Sequence, residues 1–98
     1  MKPINNKNAT TRYTKVQAGI VAQTLVEENG NRVGLLIFNN SPETLYVKFE
    51  NEATYTDFTL KIDPNGLYEM PLNYFTGKIS GLWDDQTGFA MITEVGAR

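Results

Sequence analysis

From Tyr13 onward, apolar and polar residues alternate with a period of two, and turn-forming residues interrupt the alternation every eight to twelve positions. A strand sends successive side chains to opposite faces, so half-buried strands require this pattern and a helix of period 3.6 cannot use it. Short strands at even spacing point to an all-β fold, a single small antiparallel sandwich or barrel. No stretch of ordinary helical length carries the helical period.

About seven strands are expected. The first covers 15–27, with Val16, Ala18, Ile20, Ala22, Thr24 and Val26 on one face. Asn29-Gly30 then reads as a hairpin turn, because both residues tolerate positive φ. The second strand, 32–39, is apolar at four consecutive positions, Leu35 to Phe38. Such a run is covered on both faces, either in mid-domain or by a partner. Further strands are expected at 44–50, 56–62, 67–70, 78–84 and 89–95, the last two as a hairpin around 85–88. Asp63-Pro64-Asn65-Gly66 is a turn in which Pro64 presets φ while Asn65 and Gly66 accept left-handed backbone. Phe38, Phe49, Phe58 and Phe89 fall on inward positions, and Trp83 is expected to plug the end of the sandwich.

Residues 1–13 are rich in Asn and Thr, carry Pro3 and show no apolar periodicity, so they read as an extended, irregular N-terminal arm before a β-domain at 14–98. The length of 98 residues fits one domain. Charge divides along the same line. Lys2, Lys7, Arg12 and Lys15 face no acid before Glu27, whereas the remainder holds five bases and all eleven acids, a net −6. A basic arm on an acidic body suggests docking onto another surface. Those four residues, with Tyr74 and Phe75 at a Pro- and Gly-rich corner, are the candidate interface residues.

Chemistry is narrowly bounded. The chain has no Cys and no His, which removes thiol nucleophiles, thiolate metal sites and the commonest general base. Ser41 and Ser80 therefore have no imidazole partner. Asp84 and Asp85 are adjacent and point to opposite faces if they end a strand, a poor arrangement for paired-carboxylate catalysis. With Gln86 and Thr87 they offer oxygen ligands for calcium, but without the alternate spacing of an EF-hand loop. No Gly-rich phosphate loop precedes a helix. Tyr46 and Lys48 face outward on one strand, yet the acidic body opposes nucleic-acid phosphates. The longest apolar run, four residues, is far short of a membrane span. An enzyme is not expected, and no catalytic residue, cofactor, metal ligand, nucleic acid or membrane partner is assigned.

The segments RVGLLIFNNSPETLYVKF, DPNGLYEMP and GKISGLWDDQTGFAMITEV resemble a group of small tailed-bacteriophage virion proteins. The likeness is carried by Phe38–Ser41, Leu45–Lys48, Pro64–Pro71, Gly81–Trp83 and Thr93–Glu94, which are turn and core positions. The resemblance implies a virion structural role: a capsid decoration or cement protein, or a head-fibre, neck or tail accessory piece. Its implied partner is the major capsid protein or another virion structural protein. Symmetric homo-oligomers are implied too, with a trimer as the expected order and the capsid exterior as the expected location. The N-terminal arm lies outside the shared pattern. A reading from another class is a carbohydrate-binding module for host attachment, using Tyr74, Phe75 or Trp83 with loop acids.

Overall fold

The computed structural model describes residues 9–97, and among these there are eight strands and no helix. In chain order they are β1 (Ala9–Gln17), β2 (Gln23–Val26), β3 (Arg32–Asn40), β4 (Leu45–Phe49), β5 (Leu60–Ile62), β6 (Leu67–Met70), β7 (Ile79–Trp83) and β8 (Phe89–Ala97). They form two four-stranded sheets, sheet A in the order β1-β8-β3-β6 and sheet B in the order β2-β7-β4-β5. All pairings are antiparallel. This is the connectivity of a jelly roll, a closed-face sandwich of eight strands. Only the β4–β5 connection joins neighbours within one sheet; every other connection crosses to the opposite sheet.

The expected hairpins are therefore arches. Asn29-Gly30 links β2 of sheet B to β3 of sheet A, and neither residue has positive φ. Residues 84–88 likewise carry the chain from β7 in sheet B to β8 in sheet A. The Asp63–Gly66 turn has the expected backbone at Asn65, with φ 59, but it too is an arch, from β5 to β6.

The expected long first strand is two strands. Val16, Ala18, Ile20, Ala22, Thr24 and Val26 share one parity in sequence, but the chain leaves sheet A after Gln17 and enters sheet B at Gln23. In the crossing, the Ala18 amide donates to the Gly88 carbonyl and the Gly19 carbonyl accepts from the Trp83 amide. Ile20, expected on the inward face, is exposed on this crossover, as is Val21 beside it. The irregular arm is also shorter than expected: residues 9–13 belong to β1, paired with β8 from Ala9↔Ala97 to Gln17↔Phe89. Their Thr-rich composition suits a strand. Thr56–Thr59 lie in the β4–β5 connection, and β5 begins only at Leu60.

The core lies between the sheets. Ile37, Leu45, Val47, Ile79, Trp83 and Ala90 are closed to solvent. Of the four phenylalanines expected there, only Phe49 packs against it. Phe38 and Phe89 stand on the outer face of sheet A, where register sets them beside Met91 and Asn40 respectively. Phe58 lies on the outside of sheet B, edge-on to Tyr46 at 5.3 Å. Aliphatic side chains and the one indole fill the interior instead.

Each end of the sandwich is closed by a buried polar residue of β3. At one end, Asn39 donates from Nδ2 to the carbonyls of Glu43, Ile62 and Asp63, while its Oδ1 accepts from Trp83 Nε1. At the other, Arg32 donates from Nε to Glu94 Oε2 at 2.8 Å and from its terminal nitrogens to the carbonyls of Phe75, Gly77 and Glu27. Loop carbonyls that strands cannot satisfy are thus paired internally, as burial demands. No buried side-chain polar atom among the described residues lacks a partner.

Candidate interaction surface

The two sheets cover their outer faces unequally. On sheet B, the β4–β5 connection folds back over β7. Ser80 Oγ donates to the Asn51 carbonyl at 2.7 Å and accepts from the Ala53 amide at 2.9 Å. Tyr55 donates its hydroxyl to the Trp83 carbonyl at 2.7 Å, and its ring meets Tyr46 edge-on at 5.2 Å. Tyr46 in turn donates to Asp84 at 3.1 Å. Desolvation, and then this contact with Asp84, hold the Tyr46 phenol above its ordinary pKa. Ala53 and Leu82 are buried beneath this cover.

Among the described residues, sheet A has no such cover. Its inward positions are Leu35, Ile37, Ala90 and Ile92; the alternate positions face solvent and are largely apolar. The pairing registers lay them out in rows across the sheet. One row is Lys15, Met91, Phe38, Leu67; the next is Tyr13, Thr93, Leu36, Glu69. Tyr13 is 76% exposed, Leu67 57%, Met91 44% and Leu36 37%. An isolated exposed leucine means nothing, but the contiguous apolar side chains Met91, Phe38, Leu36 and Leu67 across β8, β3 and β6 mark a contact surface. Consecutive apolar residues at Leu35–Phe38 were the sequence signal for it, since alternate members must face away from the core.

The candidate interface residues are separated. Lys15 stands on the sheet A outer face with its Nζ over the Phe89 ring, 5.0 Å from the centroid. Arg12 is on the opposite side of β1, where it lines an open groove of about 480 Å³ with Glu27, Glu28 and Glu94. Lys2 and Lys7 lie outside the described residues. Tyr74 is 65% exposed in the β6–β7 connection. Phe75 beside it stacks on Phe49, centroids 4.6 Å apart and planes at 9°, and so covers the core edge.

The elements of a sugar platform are not brought together. Trp83 is fully buried, so its ring offers no stacking face. Phe75 and Tyr74 gather at the Phe49–Ile79 end of the β4–β7 ladder, while Asp84 and Asp85 follow its Leu45–Trp83 end. That ladder is five residues long, which separates the two groups by more than ~13 Å. Asp84 is engaged by Tyr46, and Asp85 Oδ1 accepts from the Gln86 amide at 2.7 Å. Among the described residues, no three acidic side chains converge as a metal site would require.

Comparison with protein-family models, with curated proteins and with solved structures found no match.

Proposed function

We propose that the protein is a non-enzymatic structural component of a tailed-bacteriophage virion, a capsid decoration (cement) protein. It binds and stabilises the coat-protein lattice through its β-domain and basic N-terminal stretch. The observation that carries this reading is the unequal covering of the sheets: sheet B is covered by its own loop, while sheet A presents Leu36, Leu67 and Met91 to solvent around a half-buried Phe38. A flat apolar face rimmed by Lys15 and Glu69 suits docking on another protein, with apolar centre and polar edge. Repetition over a symmetric shell turns many modest contacts into firm attachment. The resemblance in the segments from Arg32 to Val95 supports the virion setting, and jelly rolls serve as viral capsid domains among other roles.

The test is to image particles assembled with and without the protein. The reading expects density on the capsid exterior at lattice-scale copy number, and particles that lose their contents at milder heating when the protein is omitted. A ring of about a dozen copies at the neck or tail would move it to an accessory role. Absence from particles, or substrate turnover by the purified chain, would overturn the structural reading altogether.

A further inference from the structure

Of the four sheet edges, three are blunted. β5 has three residues, β2 has four with an irregular register between Thr24 and Val26, and β6 has four and runs into Pro71. Short, irregular or proline-ended edges resist pairing with other chains. β1 has none of these protections. It is nine residues long, contains no proline, keeps an unbroken register against β8, and is exposed along nearly all its length on both faces.

Charged side chains are the remaining way to guard an edge, and β1 carries Arg12 and Lys15. Both are turned aside. Lys15 reaches back across its own sheet onto Phe89 of β8, and Arg12 faces the groove that holds Glu27, Glu28 and Glu94. Among the described residues the outer backbone edge of β1 is therefore left unguarded except at Gln17, whose carbonyl accepts from Gln23 Nε2 at 2.8 Å, and Lys15 is drawn onto its own sheet.

We infer that β1 pairs antiparallel with β1 of a second copy, in a register centred on Tyr13. The charge pattern favours antiparallel over parallel pairing, and strand length picks the register. Centring on Tyr13 sets Lys15 opposite Thr11, Arg12 opposite Thr14 and Tyr13 opposite its own copy, so no like charges meet directly. A parallel pair would place each base beside its twin, which is destabilising in a sheet. The chosen register also aligns the two strands along their full length, with only the Gln17 carbonyl already engaged by Gln23 Nε2, and joins the apolar outer faces of two A sheets into one eight-stranded surface. A trimer, the order expected from the resemblance, needs a head-to-tail contact; β1 against β1 closes as a twofold pair. The inference stands independently of the virion reading.

The absence of cysteine makes the test direct. Residues facing each other in antiparallel strands have Cα atoms about 4.5–5.5 Å apart, within disulfide reach. Tyr13→Cys is expected to give a covalent dimer under mild oxidation. Thr11→Cys is not, because its twin would sit roughly 14 Å away along the strands. Sedimentation across a dilution series should show a monomer–dimer equilibrium for the unmodified chain. Tyr13→Lys, at an exposed position, should raise the dissociation constant about tenfold or more by opposing two cations. Its circular dichroism should remain that of the folded chain. A monomer at every concentration, or cross-linking at Thr11 as efficient as at Tyr13, overturns the proposal. So does a dimer indifferent to Tyr13→Lys.

Discussion

The indole Nε1 of Trp83 donates to Asn39 Oδ1 at 2.9 Å, and both residues are closed to solvent. The contact ties β7 of sheet B to β3 of sheet A. It also fixes the amide orientation, because Nδ2 is then aimed at the carbonyls of Glu43, Ile62 and Asp63. One side chain thereby holds both sheets and two loops.

Asn39→Leu keeps the branched shape, in a somewhat larger side chain, but strands the indole N–H and takes the amide donor from the buried Ile62 carbonyl. Each such group costs about 1–3 kcal/mol, so urea unfolding should show a loss of at least ~2 kcal/mol. Adding Trp83→Phe should cost less in that background than in the wild type, since the stranded donor has gone. Strict additivity would mean that the two residues are not coupled.

Arg32 and Glu94 close the opposite end with side chains 1% and 9% exposed. Removing one partner of a buried pair strands a charge, at about 3–5 kcal/mol, so Glu94→Leu should unfold at much lower denaturant. The double variant Arg32→Met/Glu94→Leu should recover part of that loss. Full recovery is not expected, because Arg32 also serves the carbonyls of Phe75, Gly77 and Glu27. A double variant no more stable than Glu94→Leu would show that stranded charge is not what destabilises the single one.

Gly88 has φ 91, and a Cβ there would sit 2.5 Å from the Asn40 carbonyl oxygen. Both facts forbid a side chain. Gly88→Ala should cost at least about 1–3 kcal/mol, lowering the thermal midpoint by at least ~4 °C. Gly30→Ala is the control, with open space around its Cβ and no positive φ. Its midpoint should hold or rise slightly.

Leu36→Lys tests the sheet A surface. The side chain is 37% exposed and faces away from the core, so folded stability should change by no more than about 0.5 kcal/mol. On the proposed reading of a capsid decoration protein, binding to capsids lacking the protein should fall sharply. Undiminished binding would place the contact elsewhere on the molecule.

Tyr46 gives a pH prediction. Its phenol is held above the ordinary tyrosine value of about 10 by desolvation first and by Asp84 second. The folded state thus favours the protonated phenol. Its contribution is complete below pH about 10 and disappears as pH rises through the raised folded value. Alkaline unfolding of Tyr46→Phe should accordingly be shallower than that of the wild type, with ultraviolet titration reporting the late phenolate. An unshifted phenolate curve would contradict the sign.

Period-two alternation made the strands legible because it reports which side chain faces inward, and every one of the eight described strands overlaps an expected range, with 15–27 divided between β1 and β2. It is silent on which strand lies alongside. Asn29-Gly30 and the Asp84–Gly88 segment have hairpin composition, but the sandwich uses them as arches, a choice made by sheet packing rather than local backbone preference. The phenylalanines misled for a related reason. Phe38 and Phe89 are apolar by composition, yet Ile37 and Ala90 beside them take the inward positions. The contact surface was half visible, in the run Leu35–Phe38. Its other members, Leu67 and Met91, join it only through pairing across sheet A.

The pairing of β1 with β8 spans nearly the whole chain, from Ala9 to Ala97. During synthesis the first strand to emerge has no neighbour until the eighth has been made. β3 waits on β8 and β6, and β2 waits on β7. Sheet A therefore cannot close before β8 is made, and a topology of such distant pairings folds slowly. Until β8 arrives, the apolar faces of β1 and β3 lack their shared neighbour and stay open to chaperones.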